Sequence, residues 1–146
     1  MSTKFLLDNN AIDKLSNNIE FIKSHPEIKF YICREAVGEV SNNKSYNPTL
    51  NIVALLKLGV EYLPNAVFVL GHSLLDGEST FCDEDTGNVY RNILNPSLNN
   101  IPDAIIAATA VKNDCVLITN DTKFYKKMKK FNYKVMTFEE LLDSFK

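Results

Sequence analysis

No stretch of this chain approaches the roughly 18 consecutive apolar residues that a membrane span requires, so a bilayer-embedded protein is not the reading. The opening Met1-Ser2-Thr3-Lys4 leads straight into a short apolar run, without the long apolar region and cleavage site of a signal peptide. There are only three cysteines, Cys33, Cys82 and Cys115, odd in number, far apart and without a C-x-x-C pair. A disulfide framework is therefore not expected. Cys33 and Cys115 lie in apolar runs and read as buried thiols of a reducing compartment, which makes the cytoplasm the expected location. Two histidines, His25 and His72, offer a catalytic cysteine no recognisable motif. Internal repeats are absent, and no linker is long enough to divide the 146 residues, which suit one domain with a real core.

What is present is an ordinary globular composition, 45% hydrophobic and 23% charged, carrying an uneven charge pattern. The formal net charge is only −2. Yet Asp76, Glu78, Asp83, Glu84 and Asp85 fall within ten residues that contain no base. Lys123, Lys126, Lys127, Lys129, Lys130 and Lys134 fall within a stretch that contains no acid. Such asymmetry speaks about partners rather than about fold. The acidic stretch reads as a solvated loop or as part of a partner surface. The basic one reads as a solvated helix face or as a phosphate-binding surface.

Hydrophobic periodicity supplies the order of elements. Residues 4–7 read as a central strand. Ile12, Leu15, Ile19 and Ile22 recur at helical spacing over about 9–24, and Pro26 ends that helix. Phe30-Tyr31-Ile32-Cys33 reads as extended, followed by a helix over about 34–40 and a loop at 42–48. A helix over 50–58 is stopped by Gly59. Residues 60–100 are hardest to read, with a strand or buried turn at 67–70, a helix at 89–94 and an Asn- and Pro-rich loop after it. A helix beginning with Pro102 runs to about Asn113, then come a strand at 115–119, a lysine-rich helix at 122–131, a strand at 134–136 and a helix over 137–145. Alternating strands and helices predict an α/β protein, a three-layer α/β/α sandwich around a central, mostly parallel sheet.

Three acids stand where such strands end. Asp8 follows the first strand, Asp121 follows the strand at 115–119, and Asp103 opens the alanine-rich helix. Ligands of open α/β sheets bind beyond the carboxyl ends of the strands. Glu39, late in the helix after the second strand, can point back to the same edge. Each acid also has an ordinary reading: Asp8 and Asp121 as N-caps, Asp103 as a first-turn residue favoured by the helix dipole, Glu39 as a solvated charge. Taken jointly they would repel one another unless a cation sits among them. A divalent ion with oxygen ligands answers that, and a metal-dependent phosphodiester enzyme is the leading idea.

The joint pattern resembles the PIN-domain nucleases, especially the VapC-type toxin ribonucleases of toxin–antitoxin pairs. It rests on Leu7-Asp8-Asn9-Asn10, on Ala36-Val37-Gly38-Glu39-Val40, on Asp103-Ala104-Ile105-Ile106-Ala107-Ala108-Thr109-Ala110, and on Thr119-Asn120-Asp121-Thr122-Lys123-Phe124. Order and spacing hold over nearly the whole chain, with the weakest match at 60–100. The resemblance implies a single PIN-like domain over 1–146 that hydrolyses RNA with Mg²⁺ or Mn²⁺. It implies that Asp8, Glu39, Asp103 and Asp121 hold the metal and that Asn10 and Thr119 orient a carboxylate, a water or a phosphate. Lys123, Lys126, Lys127 and Lys130 would contact the RNA backbone. It further implies a cognate antitoxin and a homodimer. Lys123 stands where many relatives carry another acid, which leaves one metal or two open. Alternatives are a housekeeping PIN nuclease, a non-cutting PIN module that binds RNA or protein, and a phosphatase- or receiver-type domain using Asp8 itself. The last would want a second acid where this chain has Asn10.

Overall fold

The computed structural model describes residues 3–15, 17–36, 57–67, 83–95 and 97–145. Strand β1 (Lys4–Leu7) is apolar on both faces, and Phe5, Leu6 and Leu7 are all buried. That is the pattern of a central parallel strand rather than of an edge. It pairs in parallel on one side with β2 (Lys29–Cys33), Phe5 opposite Phe30. On the other side it pairs with β4 (Val116–Ile118), Leu7 opposite Ile118. The edges are β3 (Glu61–Leu63) beside β2 and β5 (Val135–Met136) beside β4, again parallel. The order β3-β2-β1-β4-β5 makes the predicted sheet parallel throughout its described strands. Successive strands run outward one way from β1 and then resume on its other side. The sheet therefore has its topological switch point between β1 and β4, where ligand sites of open α/β sheets lie.

The helices cover the sheet on both faces. Residues expected to form one helix form two, α1 (Asn9–Leu15) and α2 (Ile19–Lys23). The Asn18 side chain donates to the Lys14 carbonyl at 2.8 Å, taking the place of a backbone donor, and the periodicity of Ile12, Leu15, Ile19 and Ile22 bridges that break. The helix predicted at 89–94 is α3 (Glu84–Leu94), which extends back into the acidic stretch. Asp83 caps it by accepting from the Thr86 N–H at 2.8 Å, and Glu84 and Asp85 occupy its first turn. Those three acids thus serve the positive end of a helix, a use that composition alone did not reveal. The helix predicted after β2 begins at Arg34–Ala36. Its remainder, the 42–48 loop, most of the 50–58 helix, Asp76, Glu78 and the apolar 68–70 run lie outside the described residues. Gly59 has φ +63, the left-handed conformation of a glycine that ends a helix.

Helix α4 (Ile101–Lys112) is the most deeply buried of the described helices, with Ala104 through Ala110 buried without a gap. A helix apolar all round must be enclosed. Its alanines allow α3 to pack closely against it, the most extensive helix–helix contact in the described fold. One polar residue interrupts it. Thr109, fully buried, donates to the Ile105 carbonyl at 2.8 Å and accepts from the Ala66 N–H at 3.0 Å. The segment after β3 is thereby tied to α4, and Asn65 extends the tie by accepting from the Glu35 N–H at 3.0 Å. Helix α5 (Thr122–Lys130) links β4 to β5, and α6 (Phe138–Ser144) closes the chain with a Thr137–Glu140 capping box. Among the described residues no helix is long and apolar enough to cross a membrane.

Replacing Thr109 with Val keeps its shape but strands the buried Ala66 N–H, which costs about 1–3 kcal/mol. Chemical denaturation of Thr109→Val is expected to show a lower midpoint with an unchanged slope. A midpoint equal to wild type would show that the tie contributes nothing.

Candidate active site

Asp8 leaves the end of β1 directly beside the residues that leave β4. Its backbone N–H continues the ladder by donating to the Ile118 carbonyl at 2.9 Å. Its side chain is buried, at 3% exposure. Oδ1 accepts from the Asn9 N–H at 2.8 Å, and Oδ2 accepts from the Thr119 hydroxyl at 2.8 Å. Thr119, fully buried, also accepts from the Asp121 N–H at 3.2 Å. One hydroxyl therefore links the two acids at the switch point. The predicted orienting roles divide accordingly: Thr119 holds a carboxylate, whereas Asn10 holds the backbone. The Asn10 Oδ1 accepts from the Asn120 N–H at 2.9 Å and lies 3.4 Å from the Thr119 hydroxyl.

Asp121 does serve as the N-cap of α5, accepting at Oδ1 from the N–H groups of Lys123 at 2.9 Å and Phe124 at 3.1 Å. The ordinary reading of this residue is thus observed. Capping anchors its carboxylate at the sheet edge near Asp8. Asp103, in the first turn of α4 after Pro102, completes the group and is only partly exposed.

The electrostatics show that these acids act on one another. Burial pushes the Asp8 carboxyl up to about 6 from 3.8, and the charge of Asp121 adds to that, against the hydrogen bonds from Thr119 and Asn9. Burial first, and then the charges of Asp8 and Asp121, push Asp103 up to about 7, with Lys127 opposing. Clustered carboxylates with so little compensation are the arrangement that a cation relieves. Their hard oxygen donors suit a divalent ion such as Mg²⁺ or Mn²⁺, and each Asp8 oxygen retains accepting capacity beyond its one hydrogen bond. Among the described residues, however, no three acidic, His or Cys side chains close into a chelating set. Glu39, the fourth expected ligand, lies outside the described residues.

The expected lysine contacts are sorted by the fold. Lys127 donates to the carbonyls of Ile93 at 2.6 Å and Asn95 at 2.5 Å, gripping the end of α3 beside Asp103. Lys130 lies over the Phe131 ring at 5.6 Å. Lys123 and Lys126 are exposed and line, with Asp103, a cleft next to the acids. Two positions of the site escaped the sequence reading in these roles. One is Lys127 as a tie between helices. The other is Asn120, which accepts from the Phe138 N–H at 3.2 Å while its buried Nδ2 has no partner. Its place between Thr119 and Asp121 was the available signal. The cysteines behave as expected: Cys33 and Cys115 are free and buried, and burial pushes their thiols up to about 12 and about 11, far from nucleophilic.

The raised acids set a sign for stability. In the metal-free protein the folded state binds more protons than the unfolded chain between pH 3.8 and about 7. Stability from these two groups is present in full below that window and is lost as pH rises through it. Calorimetry in chelator is expected to show the melting temperature falling between about pH 4.5 and 7.5, and Asp103→Asn should flatten the fall. An unchanged pH slope in Asp103→Asn would remove this carboxyl from the cluster. Lys127→Met should cost about 1.5–3 kcal/mol in denaturant melts through loss of charged hydrogen bonds, whereas Lys126→Gln should be near neutral.

The family model described as PIN domain matches residues 12–130. No curated protein sequence matches the chain. Among solved structures, PAE2754 from Pyrobaculum aerophilum is similar with a TM-score of 0.60 at 20% identity, over 99% of this chain and 96% of that one. VapBC-1 from nontypeable Haemophilus influenzae aligns with a TM-score of 0.56 at 21% identity, over 94% and 99%. A PilT N-terminus domain protein from Sulfolobus solfataricus P2 aligns with a TM-score of 0.56 at 19% identity, over 97% and 92%.

Proposed function

Because the chain belongs to the PIN-domain family, whose members are generally nucleases, we propose that it is a metal-dependent endoribonuclease acting as the toxin of a toxin–antitoxin pair. The observation that carries the reading is the buried Asp8 carboxylate, held by Thr119 at the β1/β4 switch point and within electrostatic reach of Asp103 and Asp121. A stability device would not keep repelling carboxylates together at the one edge where open sheets bind ligands. The toxin assignment draws on the likeness to VapBC-1, and with it comes a protein antitoxin as partner, while the homodimer follows from the family resemblance alone. A housekeeping PIN nuclease would use the same acids and differ only in lacking an antitoxin.

In this reading Asp8, Asp103, Asp121 and Glu39 hold Mg²⁺ or Mn²⁺. When bound, the ion supplies Lewis-acid polarisation of the scissile phosphate and lowers the pKa of a coordinated water. The chain's own residues prepare the place for it. Thr119 orients the Asp8 carboxylate, Asn10 and Asn120 fix the loop after β4, and capping anchors Asp121. Lys123, Lys126, Lys127 and Lys130 place positive charge on α5, beside an otherwise electronegative pocket, for the anionic substrate.

Millimolar Mn²⁺ or Mg²⁺ is expected to raise the melting temperature of the wild type. The stabilisation reaches about 2.7 kcal/mol once the ion is present at about 100 times its Kd. The ion should stabilise Asp103→Asn and Asp8→Asn much less. Metal-supported cleavage of generic RNA should fall by about 100-fold or more in both, which corresponds to roughly 2.7 kcal/mol of barrier. No melting shift in the wild type together with full activity in Asp103→Asn would refute the site. RNA binding without cleavage under any metal would favour the non-cutting module.

A further inference from the structure

Of the three described acids, Asp8 and Asp121 are positioned through Thr119, which donates to the carboxylate of one and accepts from the backbone of the other. Asp103 has no such link. Among the described residues no hydrogen bond holds its carboxylate, so its place is set by the start of α4, the helix that carries it. That start is tied in turn to the end of α3, where side chains take the carbonyls that a helix terminus leaves without partners. The Leu94 carbonyl accepts from the Nδ2 of Asn100, the residue just before α4, at 3.2 Å. The carbonyls of Ile93 and Asn95 both accept from the Lys127 Nζ, at 2.6 and 2.5 Å. Lys127 belongs to α5, the helix that Asp121 caps. One ammonium therefore braces the helix that starts at Asp121 against the helix end that leads to Asp103.

The brace suits that task. Lysine offers three donors, and two are spent on backbone carbonyls at the negative end of a helix dipole. Hydrogen bonds from a charged donor are about twice as strong as neutral ones. Lys127 also lines the same cleft as Asp103, and its charge acts on that carboxyl. Lys129 and Lys130, farther along α5, lie over the rings of Tyr125 and Phe131 instead. Groups that orient metal ligands without touching the ion matter nearly as much as the ligands themselves, and their loss typically costs about 10–100-fold in metal affinity or activity. We propose that Lys127 is a positioning residue of the acid cluster, which fixes Asp103 relative to Asp8 and Asp121 by pinning the end of α3 to α5. The inference rests on the nuclease reading above and adds what sets its third acid. The lysine charge by itself works in the opposite sense, because an ammonium beside Asp103 repels a bound cation. Positioning and counter-charge are therefore told apart by the sign of the effect on metal affinity.

The test is titration of the full chain with Mn²⁺ alone, by calorimetry well below the melting temperature of every variant. Lys127→Met is expected to bind Mn²⁺ about tenfold more weakly than wild type. Lys127→Arg, which keeps a charged donor for the carbonyls, should recover most of the affinity. Thr109→Val, destabilised away from the acids, should bind Mn²⁺ like wild type. In an Asp103→Asn background Lys127→Met should add little, since its effect passes through that carboxylate. At saturating Mn²⁺ the kcat for generic RNA should fall in Lys127→Met while KM changes little. Unchanged Mn²⁺ affinity in Lys127→Met would reduce the brace to a stability device, and tighter binding would reduce Lys127 to a counter-charge. An equal loss in Thr109→Val would make the effect one of general stability, and a raised KM with unchanged Mn²⁺ affinity would make Lys127 an RNA contact. Each of these outcomes overturns the positioning role and leaves the nuclease reading standing. If the wild type neither takes Mn²⁺ nor cuts RNA, both fail.

Discussion

The hydrogen bond from the Thr119 hydroxyl to Asp8 joins residues 111 positions apart in the chain, and the rest of the site depends on it. It forms because β1 and β4 are parallel neighbours in register, Leu7 opposite Ile118, so the residues just beyond each strand emerge side by side. A carboxylate at 3% exposure carries a large desolvation penalty, and this bond, with that from the Asn9 N–H, offsets part of it. The same hydroxyl receives the Asp121 N–H, so the acid after β4 is positioned through the partner of the acid after β1. Both acids are thereby set by the pairing of two strands rather than by a loop of their own.

Charge organises what surrounds this point. Burial and mutual repulsion raise both Asp8 and Asp103, and Lys127 opposes the effect at Asp103. Yet Lys127 is held on the Ile93 and Asn95 carbonyls, at the negative end of a helix dipole, so its charge is divided between two duties. Among the described residues the acid cluster keeps negative charge that Lys127 offsets only in part, and this is the imbalance that the proposed metal would relieve. Along α5, Lys129 and Lys130 lie over the rings of Tyr125 and Phe131, whereas Lys123, Lys126 and Lys127 line the cleft beside Asp103; Lys134, beyond the helix, pairs with Asp114.

How far each element could be read from the sequence follows from how local its cause is. The β1 and β4 runs, the alanine-rich α4 and the lysine-rich α5 are specified by continuous apolar stretches or by helical spacing, and they lie within one or two residues of where they were predicted. Edge strand β3 was missed. Its Glu61 and Tyr62 are exposed, and a three-residue edge strand carries no apolar run. Helix α3 was predicted too short because Glu84, Asp85 and Thr86 look like a polar loop until Asp83 is seen capping them. The break after α1 was hidden because the apolar spacing continues across it while the Asn18 side chain ends the helix.

The sequence by itself determined that Asp8, Asp103 and Asp121 lie at element boundaries, since strand ends, caps and first turns are local properties of the chain. The expectation of metal-dependent chemistry also rests on the sequence, because hard carboxylate donors without a nucleophilic Cys or a His motif suit a divalent ion. Only the tertiary structure decided that β1 and β4 are neighbours, and hence that Asp8 and Asp121 share one hydroxyl. It likewise decided which lysines are engaged inside the fold and which face the cleft. The reason is physical: pairing partners and charge–charge distances depend on strand order, and strand order arises from burying the whole apolar surface at once, which no local stretch of sequence encodes.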